Sequence, residues 1–185
     1  KIGKEKLTGY EDYLIEALKV IILKPKSWQA QSEVIRTLGI IQAKQAIPYL
    51  KELTLLDFKS TVLYQRLGFS ITLLDDIPNQ KLNYFNSVLE SKNVLLISGA
   101  CSALLYSQYI PTNDEIIKII TAVSHIDENE GQVLTPRFFI AALSYLWPPT
   151  LTKQFLEICI ESKCDTLIDI ATSSIKGKKT KYVLV

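Results

Sequence analysis

Residues 27–56 read SWQAQSEVIRTLGIIQAKQAIPYLKELTLL. Val34, Ile35, Leu38 and Ile41, then Ala46, Tyr49, Leu50 and Leu53, recur at three- and four-residue steps. That is the period of a helix face, whereas a strand would alternate by two. Gly39 permits close packing beside the break between the two runs, and Pro48 fits because it falls in the first turn of the second run, where its missing N–H has no partner to lose. Helices this short are marginal alone in water, so two of them joined by a few residues should close into an antiparallel hairpin.

The same period extends in both directions and predicts an all-α chain of about ten helices, near residues 10–24, 28–41, 44–56, 59–75, 79–91, 93–108, 112–125, 133–147, 150–162 and 164–176. The breaks fall at Pro25-Lys26-Ser27, Asp76-Ile77-Pro78-Asn79, Pro111-Thr112-Asn113 and Trp147-Pro148-Pro149-Thr150. Ser27, Asn79, Thr112 and Thr150 are the expected N-caps, since each side-chain oxygen can take an orphan amide of a first turn. Strand-like alternation is confined to Tyr182–Val185. The second helix of the hairpin also repeats: Ala46, Tyr49, Leu50 and Leu53 return as Leu82, Phe85, Asn86 and Leu89, then as Ile116, Ile119, Ile120 and Val123. Helix pairs recurring every 34 to 36 residues suggest units that stack to share one core.

The segment Ser32–Ile41, with its Leu38-Gly39 ending, followed by Ile47-Pro48-Tyr49-Leu50 and then Asp57, resembles a HEAT repeat. The resemblance is close over residues 28 to about 90 and degenerate over 93–176. It implies a right-handed α-α solenoid of four to five hairpins, forming a single repeat domain over 1–185 with loose basic termini at 1–9 and 177–185. On the family's pattern, the second helices would line an inner face carrying Lys51, Asn83, Asn86, Ser87, Lys118, Thr121, Lys153 and Glu157.

Composition excludes several function classes. Hydrophobic content of 48% with 22% charge is that of a folded chain, and a net charge of +2 does not by itself point to nucleic acid or membrane. Cys101, Cys159 and Cys164 form no C-x-x-C pair and lie far in sequence from His125, so neither zinc nor any other cofactor is expected, and each reads as a small buried hydrophobe in a reducing cytoplasm. Lys1–Lys6 does not open an apolar leader. Residues 93–113 carry no charge, but Ser98, Gly99, Ser102, Ser107, Gln108 and Pro111 suit a buried helix better than a membrane span. Gly177-Lys178-Lys179-Thr180 lacks the upstream glycine of a phosphate loop, since Thr172 stands there.

His125, between a helix end and an acidic loop, is read as a dipole-favoured helix terminus rather than a general base. Trp28 and Trp147, at the start and end of first helices, are read as core fillers. Charge is the more informative signal. Between Ile71 and Pro136, eight acids face three lysines for a net of −5, leaving +7 elsewhere. Asp75, Asp76, Asp114, Glu115, Asp127, Glu128 and Glu130 would make the rims of the central repeats negative, with Asn83, Asn86 and Lys118 between them as further contact positions. Such a field attracts a basic protein and repels phosphate backbones.

These features point to a cytoplasmic, non-enzymatic monomer that binds one cognate protein. In size, architecture and charge the chain is similar to immunity proteins of bacterial contact-dependent growth inhibition systems. That likeness implies neutralisation of a basic toxin nuclease. The alternatives are a HEAT-type scaffold in a larger assembly and a HEAT-like DNA glycosylase, which would pair Asp75 or Asp76 with Trp28 or Trp147.

Overall fold

The computed structural model describes residues 9–124, 126 and 135–182. It is all-α among those residues, with ten principal helices: α1 Glu11–Ile21, α2 Trp28–Ile40, α3 Ile47–Leu53, α4 Val62–Ile71, α5 Asn83–Ser91, α6 Val94–Ser107, α7 Asn113–Ser124, α8 Pro136–Leu143, α9 Pro149–Ile160 and α10 Asp165–Ile175. Among the described residues no helix is long and apolar enough to cross a membrane. Two compact units are present, Lys1–Ala103 and Leu104–Val185.

Several helix ends differ from expectation. Only Thr112 of the four expected caps works as one: its N–H donates to the Glu115 carboxylate at 2.8 Å and the Glu115 N–H approaches its hydroxyl at 3.4 Å, a reciprocal capping box. Ser27 makes no capping bond, and α9 starts at Pro149, which puts Thr150 inside the helix. Asn79 is not an N-cap, because α5 does not begin until Asn83, and its amide donates back to the Asp75 carbonyl at 2.6 Å. Instead α4 runs on through a π turn, Thr72–Asp76, into a last helical turn at Ile77–Asn79. Pro78 explains the widening: in a regular helix its ring would press on the carbonyl four residues back, at Leu74.

In the first unit, α1 packs on α2, α2 on α4, and α3 on α4. The α2–α4 contact is built from small residues. Ser70 on α4 donates its hydroxyl to the Ile35 carbonyl at 2.7 Å, and a Cβ on Gly39 would come within 2.8 Å of the same serine. Gly39 therefore serves a close helix crossing rather than the turn. Gly68 and Gly99 do the same for α4 and α6, since a Cβ on Gly68 would run into the Leu96 carbonyl oxygen and one on Gly99 into that of Gln65. Leu18, Ile35, Leu38, Leu50, Leu67, Phe69 and Phe85 fill the core between these backbones. Each such side chain contributes about 1.5–3 kcal/mol by leaving water.

The second unit centres on α8, whose Phe138, Phe139, Ile140, Ala141, Ala142 and Leu143 are all buried. α7, α9 and α10 pack against it, and α9 against α10. Ser174 on α10 donates to the Ala141 carbonyl on α8 at 2.6 Å, a contact of the same kind and similar sequence span as that of Ser70. The tail expected to be loose is tied as far as Tyr182, whose hydroxyl donates to Asp169 of α10 at 2.9 Å beside a Lys181–Asp169 ion pair at 3.4 Å. In the repeat register, Ala46, Leu50 and Leu53, then Leu82 and Phe85, then Ile116, Ile119 and Val123 are buried, while Tyr49, Asn86, Leu89 and Ile120 are half-buried.

Candidate functional site

The first unit carries an apolar groove of about 540 Å³. Ile22 and Leu63 are buried at its base, while Leu23, Pro25 and Trp28 form one wall and Leu56 and Phe58 the other. Its apolar groups are open to water: Leu23 is 78% exposed, Trp28 41% and Leu56 38%. Exposed apolar surface gathered in one concavity is what binding surfaces offer, whereas scattered single residues carry no such meaning.

Both walls are held by buried or half-buried polar groups. On α2, buried Gln31 points its amide nitrogen at three carbonyls of the chain leaving α1: Ile21 at 2.7 Å, Ile22 at 3.1 Å and Lys24 at 2.9 Å. The Ile21 and Lys24 carbonyls also accept the Lys24 and Ser27 N–H groups, so the glutamine adds a side-chain tie to a turn that is already hydrogen-bonded and sets the path of Leu23 and Pro25. Opposite, the Tyr64 hydroxyl donates to the Leu56 carbonyl at 2.7 Å and accepts the Phe58 N–H at 3.1 Å, while the Phe58 and Tyr64 rings meet edge to face at 5.6 Å. The groove is therefore a formed feature of the fold. The polar side chains lining it beside Gln31 are those of Asp57, Lys59 and Ser60.

The acidic residues expected to form the site take different roles. Asp76 is 1% exposed and both its oxygens are used, accepting the Tyr84 N–H at 2.9 Å and the Phe85 N–H at 2.7 Å. It is the cap of α5 delivered from the end of α4, and a partner cannot reach it. Burial pushes its carboxyl up to about 6, against the lowering effect of those two amides, with Asp75 adding a smaller raise. Asp75 is half-buried and paired with Lys51 at 2.6 Å, and that ammonium lies 5.7 Å from the Tyr84 ring centre. Burial, then the charges of Asp76 and Asp75, hold the Tyr84 hydroxyl well above its ordinary value. Asn83 is exposed and Asn86 half-buried on α5.

In the second unit, Asp114 and Lys118 are exposed on α7, and Glu115 is half-buried in its capping box. Lys153 and Glu157 face each other on α9 at 3.8 Å, exposed. Asp127, Glu128 and Glu130, with His125, lie outside the described residues. Among the described residues no three His, Cys, Asp or Glu side chains gather as metal ligands. Cys101 and Cys159 are buried and Cys164 half-buried, all unbridged.

Of the two tryptophans, Trp147 fills the core as expected, but Trp28 is a wall of the open groove. Leu23, Leu56 and Phe58 went unread with it. The available signal was the apolar run Leu53-Thr54-Leu55-Leu56-Asp57-Phe58, which continues past the point where α3 ends. Against family models, curated proteins and solved structures, the chain matches none.

Proposed function

We propose that this chain works by binding another protein, without catalysis of its own, on a HEAT-like frame of stacked hairpins. The groove of the first unit carries this reading, because its walls are fixed before any partner arrives and its apolar surface is exposed in the free chain. The frame is supported by the serial packing of α2, α4 and α6 through Gly39, Gly68 and Gly99, and by the matching serine-to-carbonyl contacts of Ser70 and Ser174.

Within this class, the role of an immunity protein against a basic toxin nuclease draws its support from charge. Asp76 leaves that argument and Asp75 is largely spent on Lys51, so it rests on Asp114, Glu115 and the acids at 127–130. A scaffold role is separated from it by stoichiometry, since an antagonist forms one tight binary complex and a scaffold bridges several partners.

One observation favours a second reading, a DNA glycosylase: Asp57, rather than Asp75 or Asp76, lines the same groove as Trp28. Steeply salt-dependent binding of duplex DNA would select it.

The test is site-specific photocrosslinking in cells. A photoreactive residue at Leu23, Trp28 or Leu56 should yield discrete protein adducts identifiable by mass spectrometry, while one at exposed Gln154 on α9 should not. Equal yields at all four positions, or none at the groove, would overturn the reading.

A further inference from the structure

We infer that the groove receives an acidic amphipathic segment of the partner protein, with apolar anchors seated on Leu23, Trp28 and Leu56 and carboxylates meeting Lys24, Lys26 and Lys59. This rests on the protein-binding reading and gives the partner's contacting segment its chemistry.

The apolar part follows from extent. Leu55, 85% exposed, stands next to the Leu56 wall, and Tyr13 and Val20, seven positions apart and so on one face of α1, are exposed as well. Of the thirteen large hydrophobic residues exposed among those described, seven lie between Tyr10 and Leu56. A small ligand enclosed in the groove would leave the outward faces of Leu23 and Leu56 wet, whereas a protein segment crossing the groove would cover them.

The charged part follows from the rim. Lys24 and Lys26 are exposed on either side of Pro25, and Lys59 lines the groove itself. None of the three is ion-paired among the described residues, whereas Lys19 and Lys51 are tied to Glu16 and Asp75. Within the lining Asp57 and Lys59 balance, and the excess of positive charge comes from Lys24 and Lys26 flanking Pro25. Approaching carboxylates would be steered toward the groove, and the lysines would lose no partner on meeting them.

The experiment pans a random sixteen-residue peptide library against the full chain alone and then measures each enriched peptide on the chain and on a Trp28→Ala/Leu56→Ala variant. Enriched peptides should carry two or more large apolar residues at helical spacing flanked by Asp or Glu. A synthetic member should bind at least about tenfold more weakly to the variant, the loss expected when central anchors are removed. Lys24→Glu/Lys26→Glu/Lys59→Glu should slow its association by about tenfold or more, an effect that high salt erases. Leu23→Ser, altering a side chain already mostly in water, repeats the affinity loss without risk to folding.

Basic or uncharged consensus peptides would overturn the charge assignment while leaving the protein-binding reading intact. Failure to enrich any peptide, with laurate or duplex DNA instead shifting Trp28 emission, would overturn both. Peptides that bind the variant and the parent equally place the contact elsewhere and overturn the site.

Discussion

Trp28 and Trp147 sit at comparable places in the chain, each next to a proline-containing break at one end of a helix, yet one faces water and the other does not. Trp147 is 2% exposed, and its indole N–H donates to the Tyr109 carbonyl at 3.1 Å. Trp28 lies on a groove of about 540 Å³, while the recess touching Trp147 is about 170 Å³. The second unit has used its tryptophan to close a core layer. The first holds its own in the wall of a concavity whose loops are fixed by Gln31 and Tyr64. A tryptophan left 41% exposed contributes less to stability than one buried like Trp147, and its exposed face is surface that a partner can cover.

The largest expected effect lies on the closed side. Trp147→Ala should destabilise the chain by about 3–5 kcal/mol, combining a lost buried ring with the lost indole hydrogen bond to the Tyr109 carbonyl. The shift of the urea midpoint, followed by far-UV circular dichroism, measures it. A cost comparable to that of Trp28→Ala would break the comparison.

Next comes Asp76, the buried polar anchor of the first unit. Asp76→Ala leaves the Tyr84 and Phe85 amides without an acceptor and should cost about 2 kcal/mol at neutral pH. Its pH dependence has a definite sign. The folded carboxyl titrates at about 6 and the unfolded one near 3.8, so the folded state holds the proton more tightly. Stability from this group is therefore greatest below about pH 4, declines as pH rises toward 6 and is level above that, a span of about 3 kcal/mol. Asp76→Asn should flatten that slope in urea titrations run at several pH values. Stability that instead rises through pH 4–6 by the same amount in both proteins would show that Asp76 does not titrate as its burial requires.

The ten helices were legible because periodicity is local: a repeat of three and four is visible within a dozen residues whatever the helix packs against. Thr112 was legible as a cap for the same reason, since a cap contacts only its own first turn, whereas Glu115, expected as a rim acid, turns out to be the other half of that capping box. What was not legible depends on contacts between distant segments. Asp75 and Asp76 are adjacent identical residues, and only the arrival of the α5 amides at one of them separates a surface carboxylate from a buried cap. Pro78 marked a break, but whether α4 would stop or widen into a π turn depends on where the chain beyond Asn79 packs. Trp28 was misread because an apolar residue at a helix start looks the same whether the facing position is filled or empty. The wall opposite it comes from Leu56 and Phe58, about thirty residues away, past an apolar run that masquerades as more helix.

Tyr64→Phe probes the wall itself. It removes a hydroxyl that both donates to Leu56 and accepts from Phe58, at an expected cost of about 1 kcal/mol. The sharper readout is local: hydrogen exchange at the Phe58 amide should accelerate while that of the α8 amides stays unchanged. Uniform acceleration across both units would mean the hydroxyl supports global stability rather than the shape of the groove.

The smallest effect on stability should come from Trp28→Ala, below about 1 kcal/mol, because much of the ring is already in water and α2 keeps its buried face of Gln31, Ile35 and Leu38. The chain's two tryptophans allow the assignment to be read by fluorescence. Trp28→Ala leaves Trp147 alone, whose emission should be blue-shifted and resistant to acrylamide. The parent should show a second, red-shifted component that acrylamide quenches first. If the component lost with Trp28 is instead the protected one, the ring is covered in solution and the groove is not free to receive a partner. If the quenchable component disappears and stability holds, Trp28 is an aromatic side chain that the fold positions without needing, and its place in the groove wall is then explained by what binds there.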